Sequence, residues 1–395
     1  MFANFRFRRI LPALLLLYSL GVLLTIALQP SLFQWDFKTY YSAAVAFLKG
    51  MDPYSLDVLN EVSASTLQFK YVYPPLTLWA FAPFSVFPYQ ASSTLFLLLK
   101  AATLVLLVRV WIKHFLPQDA GILFFFFCLL AFNSTLYRDF AAGNISVFEQ
   151  LILWSAFYVF LKEKYVAFCG LILAAASFKL TPLIFIGLLW CTDHPRRHFY
   201  VLGSVVLFAF SQLLTFLVSP ALFSHFVDNL NQHAGKGFVN PSTLTFITAG
   251  LESLERTFDF QAPSYASFLL YSLAVVFVLF VAFGSIRRHI PLKDIETKKL
   301  VLFFCIVTYA LILPRFKDYS YVLLLVPAFV VLMRSLVRPA LLLTLFFMIP
   351  FSSTLPGTEF SFSLAKYSSL IQAFVVFLFS VLELRAGEGQ ITTSK

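Results

Sequence analysis

The sequence predicts an all-α polytopic membrane protein, and three observations carry that prediction. Of the 395 residues, 60% are hydrophobic and only 12% are charged, and phenylalanine alone contributes 50 residues. Soluble domains have roughly 45–50% apolar and about 25% charged residues, so this chain has half the usual charge with which to face water. The mean hydropathy is +0.84, and the apolar residues occur in long uncharged runs. These features exclude a disordered chain, a disulfide scaffold and a cytosolic enzyme.

The first of these runs follows the N-terminus. Arg6, Arg8 and Arg9 precede residues 10–28, which contain no charge and approach the ~20 residues that span a bilayer. A cleaved signal peptide has a shorter apolar stretch and an exit of small residues. We therefore expect an uncleaved first span with its N-terminus in the cytoplasm.

Further apolar runs bring the predicted number of spans to about twelve. Several of them are shorter than about 17 residues, and such spans have to be broken, tilted or buried among neighbouring helices. The runs lie at residues 90–112, 119–132, 145–161, 166–177, 181–191, 199–218, 265–284, 300–313, 320–333, 339–349 and 367–383.

One more apolar segment, residues 74–88, is interrupted by prolines. The distribution of charges along the chain indicates whether this segment crosses the membrane. With twelve spans and both termini inside, 18 Lys and Arg lie on the cytoplasmic side if Arg109 at the end of the run at 90–112 is included, external loops hold 10, and Lys100 lies within a span. If residues 74–88 also crossed, this distribution would invert. Because cytoplasmic loops collect basic residues, we expect residues 74–88 to lie along the external membrane surface.

The same topology arranges the chain as one membrane domain at residues 1–384 and a cytoplasmic polar tail at residues 385–395. The external loops at 29–89 and 219–264 are long and rich in acidic residues, whereas the cytoplasmic loops are short and basic. Topology therefore explains the net charge of +10 without nucleic acid as a partner. We expect a multi-pass protein of the cell (inner or plasma) membrane with any active site facing outwards.

The first external loop begins with an acid among aromatic residues. Asp36 lies within QWDFKTYY at residues 34–41, just after the first span. A carboxylate fixed at a helix end close to the membrane can act as a general base. An interfacial acid beside a belt of Trp and Tyr is the alternative, and the loop alone does not separate the two.

Four motifs follow one another along the chain, namely residues 36–54, the YPPL that begins at Tyr73, Gly143-Asn144 and the Asn-Pro-Ser that begins at Asn240. In this order they resemble glycosyltransferase family 87. The first two are similar to the N-terminal signature of that family.

Two basic segments complete the resemblance. Residues 170–182 are similar to the family's Gly-rich run that ends in Lys-x-x-Pro, with Lys179 as the lysine. Residues 313–319, LPRFKDY, stand where the family often has Pro-x-x-Trp-Asp-His. Here the chain departs from the pattern, because Lys-Asp-Tyr replaces Trp-Asp-His.

The resemblance implies a C-type glycosyltransferase-like bundle of about 12 transmembrane helices with a membrane-associated first external loop. It also implies a polyprenyl-phosphate sugar as the donor, typically mannose, and a glycolipid or glycan as the acceptor. In that family the acid of the first loop deprotonates the acceptor hydroxyl, and the matching residue here is Asp36. Attack at the anomeric carbon then expels polyprenyl phosphate with inversion. The implied activity is that of a hexosyltransferase surrounded by membrane lipids.

Such a reaction needs fixed cations or N–H donors near the anionic phosphate of the leaving group. Lys179 is a candidate because it lies between two apolar runs, where a cation is costly unless paired. Arg315 and Lys317 are candidates from a compact charged cluster that includes Asp318. Two alternatives stay open, namely snorkelling of Lys179 to the interface and an Arg–Asp loop pair without a ligand.

Other polar and aromatic residues are predicted to contact the substrates. The aromatic side chains suit stacking on sugar faces, although such residues are also interface anchors. For Arg138 and Asp139, a local turn is the alternative. The predicted contacts are Tyr40, Tyr41, Tyr73, Arg138, Asp139, Asn144, Asn240 and Asp318.

The sequence carries no metal or cofactor signature, because HExxH, DxD, a His/Cys cluster and a P-loop are all absent from it. No cofactor is predicted, and a metal requirement stays open. The four cysteines have no CxxC spacing and lie within apolar stretches, so we interpret them as packing residues.

A transporter or flippase of lipid-linked or small polar substrates is the main rival function. Transporters place ionisable groups in mid-span and show inverted repeats, whereas here Lys100 alone lies well inside a span and the two halves are not visibly similar. An inactive membrane scaffold is a third interpretation, because residues 317–319 depart from the family pattern. The sequence favours a glycosyltransferase with Asp36 as its base.

Overall fold

The structure, a computed structural model of the chain, is helical throughout the residues it describes, apart from one isolated β-bridge between Gly237 and Asn240. The all-α prediction is therefore confirmed. The described residues are 2–28, 33–67, 69–118, 120–230, 237, 239–290, 292, 294–335, 347 and 365–392.

Two compact units divide the chain. The N-terminal unit comprises residues 9–114 and 137–233, and the C-terminal unit comprises residues 1–8, 115–136 and 234–395. Both units are discontinuous in sequence. The single membrane domain at residues 1–384 stays a prediction.

The helices follow one another with short connections between most of them. The α-helices of the described residues are α1 Phe2–Leu28, α2 Trp35–Leu48, α3 Leu56–Ser63, α4 Leu76–Phe81, α5 Tyr89–His114, α6 Ile122–Ala142, α7 Ser146–Leu161, α8 Tyr165–Ala176, α9 Arg197–Val218, α10 Pro220–Leu230, α11 Thr243–Phe258, α12 Ala266–Ile286, α13 Ile295–Ile312, α14 Leu325–Ser335 and α15 Ser368–Thr392. Segments of 3₁₀ helix lie at Ala82–Val86, Thr181–Cys191, Arg287–His289 and Asp318–Leu324.

Five of the described helices are long and apolar enough to cross a membrane, namely α5, α6, α9, α12 and the first part of α15. The expected number of about twelve spans is not confirmed, because several predicted spans form helices shorter than these, α7 and α8 among them. Most of the predicted span at 339–349 lies outside the described residues. Helix α9 exposes apolar side chains along its whole length, as a helix surrounded by lipid does.

The region predicted as the first external loop contains helices that fold together. Helices α2, α3 and α4 and the 3₁₀ segment Ala82–Val86 enclose a core that includes Phe37, Tyr71 and Phe81. The apolar segment Leu76–Val86 is not among the helices long enough to cross a membrane. Its side chains Trp79 and Val86 are exposed, which fits the expected position along the membrane surface.

The long loop predicted at 219–264 also contains helices, α10 and α11. Helix α10 belongs to the N-terminal unit and contributes Phe226 to the core of the first loop. Asn229 Nδ2 donates hydrogen bonds to the carbonyl oxygens of Tyr54 at 2.9 Å and Tyr71 at 3.1 Å. The two regions predicted as external loops are therefore fastened to each other by buried hydrogen bonds.

Helix α6 is interrupted where the sequence predicted a span to end. Ala131 is extended, and residues 132–134 have positive φ angles of 52–58°. The break separates an apolar first part from a second part that carries Arg138 and Asp139. The predicted boundary at residue 132 thus coincides with a real change of backbone direction.

The C-terminal unit packs its helices around α13. Helix α13 contacts α12, α14 and α15, and its side chains from Val301 to Leu311 are mostly buried. Helix α11 begins with a capping box in which the Ser242 and Thr245 side chains each bond the other's backbone N–H. Helix α15 continues to Thr392 and so extends into the predicted polar tail.

Candidate active site

Asp36 lies in the first turn of α2, and the residue before that helix fixes its starting point. Gln34 adopts a left-handed conformation with φ of 63°. Its backbone N donates to the Ala141 carbonyl at 2.7 Å, and its Nε2 donates to the Phe140 carbonyl at 2.6 Å. The start of α2 is therefore tied to the end of α6, and the Asp36 carboxylate is largely buried, with 6% of the residue exposed.

Gly143 allows the connection between α6 and α7 to approach α2 closely. Its φ is +67°, and a Cβ atom there would lie 2.5 Å from Gln34 Oε1 and 2.9 Å from Phe37 Cβ. Only glycine combines this conformation with this lack of space. The next residue, Asn144, is thereby brought to the Asp36 carboxylate.

Asn144 holds Asp36 by an amide whose orientation is fixed. Its Nδ2 donates to Asp36 Oδ2 at 2.6 Å and to the Tyr40 hydroxyl at 2.9 Å. Its Oδ1 accepts hydrogen bonds from the backbone N of Ser146 at 3.1 Å and from the Ser146 hydroxyl at 2.8 Å. Because Ser146 N–H can only donate, the Nδ2 group faces the carboxylate. Among the described residues, no hydrogen bond reaches the other carboxylate oxygen, Asp36 Oδ1.

Two tyrosines complete this cluster. The hydroxyls of Tyr40 and Tyr73 are 2.9 Å apart, and both rings are buried. Burial raises the pKa of Tyr73, the positive charge of Lys179 opposes that rise, and the carboxylate of Asp36 adds to it. Tyr73 is therefore a neutral hydrogen-bonding group that feels the charges of both Lys179 and Asp36.

Lys179 is paired with an acid instead of standing alone at the interface. Its Nζ lies 2.5 Å from Glu149 Oε2, and the lysine side chain is 23% exposed. Lys179 follows α8, and Glu149 lies in the first turn of α7. The ion pair gives Lys179 an acidic partner within the protein, and part of the lysine side chain stays exposed.

Asp139 is the predicted contact whose surroundings differ most from expectation. It is fully buried, and its Oδ2 lies 2.8 Å from Nζ of Lys100, which is also fully buried. A direct sugar contact requires a side chain that a ligand can reach. The structure instead places it inside the helices, so its burial does not support a direct sugar contact.

Tyr41 and Arg138 also belong to the N-terminal unit. The Tyr41 hydroxyl donates to the Phe87 carbonyl at 2.9 Å and so fixes the end of the 3₁₀ segment. Arg138 is half-buried beside Asp139. The N-terminal unit thus brings Asp36, Tyr40, Tyr73 and Asn144 into hydrogen-bonding contact.

The remaining predicted residues belong to the C-terminal unit, where Asn240 organises the segment at 313–319. Asn240 is fully buried, and its Oδ1 accepts a hydrogen bond from the Phe316 backbone N at 3.0 Å. The Ser242 hydroxyl donates to the Pro314 carbonyl at 2.7 Å, and the Tyr321 hydroxyl donates to the Pro241 carbonyl at 2.6 Å. The two segments noted in the sequence therefore dock onto each other.

The docked segment carries the predicted cations. Arg315 and Lys317 are both half-buried, and Lys317 Nζ lies 5.4 Å from the centre of the Tyr319 ring. Asp318 Oδ1 accepts a hydrogen bond from the Tyr319 backbone N, and its carbonyl accepts one from Thr135 at 2.6 Å. Asn240 Nδ2 is buried and has no hydrogen-bond partner among the described residues.

The described residues contain no group of three or more His, Cys, Asp or Glu side chains that could hold a metal ion. A metal requirement therefore stays open, as it did from the sequence. The N-terminal unit offers a carboxylate with a fixed orientation and a partly exposed lysine side chain. The C-terminal unit, taken by itself, offers a loop with two cations.

Comparison with protein families identifies the chain. The family model of glycosyltransferase family 87 matches residues 71–314. This chain belongs to glycosyltransferase family 87. No curated protein and no solved structure matches it.

The family match covers much of the site but not all of it. Tyr73, Arg138, Asp139, Asn144, Lys179 and Asn240 lie inside the matched residues. Asp36, Tyr40 and Tyr41 precede them, and Arg315, Lys317 and Asp318 follow them. Membership of glycosyltransferase family 87 makes the chain a transferase of the membrane, and its helices agree with that location.

Sequence reasoning missed several residues that hold the site together. Gln34, Ser146 and Glu149 received no role, although each bonds a predicted residue or its neighbours. Lys100 offered a signal, because a lysine inside a span is a functional candidate by default. Its partner Asp139 is 39 residues away, and no spacing rule links them.

Proposed function

We propose that this family 87 protein transfers a hexose, namely mannose, from a polyprenyl-phosphate donor to a glycolipid or glycan acceptor. The reaction takes place on the external face of the cell membrane, with both termini in the cytoplasm, and it inverts the anomeric configuration. Asp36 acts as the general base. Family membership supports the transferase class, and the residues around Asp36 support the mechanism.

The observation that carries the proposal is the setting of the Asp36 carboxylate. Asn144 Nδ2 binds Oδ2 at 2.6 Å, and no described group hydrogen-bonds Oδ1. An acceptor hydroxyl that donates to Oδ1 loses its proton to the carboxylate as its oxygen forms a bond to the anomeric carbon. The bond from that carbon to the phosphate oxygen breaks, and polyprenyl phosphate leaves with the electron pair. Fixing the base before the reaction avoids reorganisation in the transition state.

Cations are needed where negative charge grows on the leaving phosphate. Lys179 is a candidate in the N-terminal unit, because it influences Tyr73 electrostatically and stays partly exposed. Arg315 and Lys317 are candidates in the C-terminal unit. We assign all three to the donor phosphate, and we assign Tyr40, Tyr73, Arg138 and Asp318 to the sugar and the acceptor.

The position of the first loop supports a lipid-linked donor. Leu76, Trp79 and Val86 expose apolar side chains on the same loop that carries Asp36. An exposed apolar face beside a charged site suits a substrate with a hydrocarbon chain and a polar headgroup. A water-soluble sugar nucleotide has no hydrocarbon chain that this apolar face could bind.

A flippase for lipid-linked sugars is the second candidate, and one observation favours it. The buried ion pair between Lys100 and Asp139 is a feature that transporters often contain within the membrane. The two functions differ in their product, because a flippase moves the donor without breaking the anomeric bond.

The test is an assay of the purified protein in lipid vesicles with a panel of radiolabelled polyprenyl-phosphate sugars and an extracted glycolipid mixture. We expect label in a glycolipid product with the wild type and with Asp57→Asn, an exposed acid of the same loop. We expect no product with Asp36→Asn. Movement of intact donor across the bilayer without a product would favour the flippase, and neither outcome with a folded protein would contradict both functions.

A further inference from the structure

Lys100 is a lysine inside a membrane helix that the proposed reaction does not use directly. It lies in α5, and neither it nor its partner Asp139 has any exposed side-chain area. Nζ of Lys100 lies 2.8 Å from Asp139 Oδ2. Burying two charges costs several kcal/mol per ion, and apolar residues of similar volume often give equal or greater stability. Stability alone therefore does not explain this pair.

The other contacts of Lys100 point to a different role. Its Nζ donates to the carbonyl oxygen of Asp139 at 2.6 Å and to the carbonyl oxygen of Asn144 at 2.7 Å. An ammonium group has three donors and no acceptor, and two of its hydrogen bonds go to these carbonyls, while the Asp139 carboxylate lies within ion-pair distance without accepting a hydrogen bond from the described residues. Lys100 thus binds both ends of the turn at residues 139–144.

That turn places the amide that holds Asp36. The Asn144 backbone N donates to the Asp139 carbonyl at 3.2 Å, so the turn closes on the same oxygen that Lys100 binds. Gly143, within the turn, has no room for a Cβ atom against Gln34 and Phe37. Any shift of the turn therefore moves the Asn144 side chain relative to the Asp36 carboxylate.

We propose that Lys100 is a positioning residue, whose ammonium clamps the turn at 139–144 and so sets where Asn144 holds Asp36. This inference rests on the proposed function, because it concerns the same base. Asp139 supplies the negative charge that allows the ammonium to be buried. A small misplacement of a catalytic group can cost about 100-fold in rate, so the clamp acts on turnover.

The test uses a variant that removes both charges together. Lys100→Met alone would leave the Asp139 carboxylate buried without its cation, and such a chain can fail to fold. Lys100→Met/Asp139→Leu leaves no unpaired charge, so we expect a monodisperse protein, but the two carbonyls lose their donor, so its melting temperature should equal or lie moderately below that of the wild type. We expect kcat for transfer to fall about 100-fold while the donor KM stays within about twofold of the wild type.

Two further variants separate positioning from packing. Lys100→Gln/Asp139→Leu keeps an amide that can donate to the two carbonyls, and we expect it to recover about a tenth or more of the wild-type kcat. Lys113→Met, an exposed lysine of the same helix, should change neither kcat nor stability. An ion pair that served only stability would give the neutral double variant wild-type turnover, and that result would overturn the inference.

A second measurement keeps the inference separate from the proposed function. If the wild type transfers no sugar from any donor, the proposed function fails, but the clamp still predicts the mobility of the turn. In that case backbone amide exchange in peptides covering residues 139–146 should be faster by at least about tenfold in Lys100→Met/Asp139→Leu than in the wild type. Equal exchange in the two proteins would refute the clamp.

Discussion

Two buried asparagines, one in each unit, hold loops that carry charged residues, and they differ in how completely they are bonded. Both groups of the Asn144 amide have partners, with Asp36 and Tyr40 accepting from Nδ2 and Ser146 donating to Oδ1. Asn240 accepts a hydrogen bond from Phe316, but its buried Nδ2 donates to no group among the described residues.

The Asn144 amide therefore has its partners without a ligand, whereas the Asn240 amide has a buried donor that no described residue binds. A fixed carboxylate suits proton transfer, because its orientation does not change during the reaction. A buried donor without a partner costs about 1–3 kcal/mol, and an oxygen-rich ligand offsets that cost. Within the proposed function, the loop of Asn144 performs the acid–base chemistry and the loop of Asn240 binds the donor phosphate.

Replacing each asparagine by leucine tests the comparison most directly, and we expect it to give the largest effect on the kinetics of transfer. Asn144→Leu removes the only described hydrogen bond to the Asp36 carboxylate, so we expect kcat to fall by at least about 100-fold. Asn240→Leu loosens the segment at 313–319, so we expect a raised donor KM with a smaller change in kcat. Steady-state kinetics of both variants measure this split, and equal effects on kcat would contradict the division of roles.

The two glycines beside these regions give the next largest effect. Gly143 and Gly237 both have positive φ, but a Cβ atom at Gly143 would meet Phe37 Cβ at 2.9 Å, whereas at Gly237 it would meet the flexible Lys366 side chain at 3.2 Å. We expect Gly143→Ala to lower the free energy of unfolding by about 3 kcal/mol and Gly237→Ala by about 1 kcal/mol.

Thermal unfolding in detergent measures both glycine variants. Gly170→Ala is the control, because Gly170 lies within helix α8 and no atom approaches its ideal Cβ position within 4 Å. That change should stabilise the protein by up to about 1 kcal/mol. A Gly143→Ala protein as stable as Gly237→Ala would mean that the close approach of α2 and the turn is relaxed in solution.

Arg315→Gln tests whether the C-terminal unit binds the donor phosphate. A charged hydrogen bond to phosphate is worth about 1.5–3 kcal/mol, so we expect the donor KM to rise by at least about tenfold with kcat reduced less. Arg256→Gln is the matched control, because Arg256 is exposed on α11 in the same unit. A donor KM that responds equally to both changes would indicate a general effect of charge and not a phosphate site.

The smallest effect is expected at a helix cap away from both regions. Asp294 Oδ1 accepts a hydrogen bond from the Thr297 backbone N at 2.8 Å. Bonds from the side chain and backbone of Thr297 lower the pKa of Asp294 below 3.8. Because the folded pKa is the lower one, this stabilisation is present at neutral pH and is lost as the pH falls through the folded pKa.

Asp294→Ala should therefore destabilise the protein by about 1 kcal/mol at pH 7, with transfer per folded molecule unchanged. Asp294→Asn keeps a cap without a titrating group, so its stability should depend less on pH below about 4 than that of the wild type. Melting temperatures across that pH range measure the difference. A parallel loss of transfer would mean that α13 is coupled to the reaction.

The sequence predicted the helical class for physical reasons, and the family resemblance suggested which residues to examine as a site. Apolar composition and uncharged runs are local properties, so the all-α membrane chain follows from them directly. Asp36, Tyr40, Tyr73 and Asn144 come together as the ordered motifs suggested. The break in α6 also falls at the end of a predicted run.

The remaining features of the site depend on contacts between residues whose separation in the sequence does not predict that they meet. The pairing of Lys100 with Asp139, of Lys179 with Glu149, and of Asn240 with Phe316 joins residues distant in the chain. The regions predicted as external loops contain short helices that bury one face against other segments, as α2 and α10 do, and no long apolar run marks such helices. The length of an apolar run is also a poor measure of helix length where a span is broken. Apolar runs therefore predict the presence of membrane spans better than their number.

The most direct test of the central claim, that Asp36 is the base, is a single-turnover experiment on purified Asp36→Asn protein preloaded with labelled donor. Measuring donor binding and sugar transfer in the same samples separates recognition from chemistry. The account predicts donor affinity within about twofold of the wild type and a transfer step slowed by at least about 100-fold, because asparagine cannot accept the acceptor proton. Transfer by Asp36→Asn at close to the wild-type rate would contradict it.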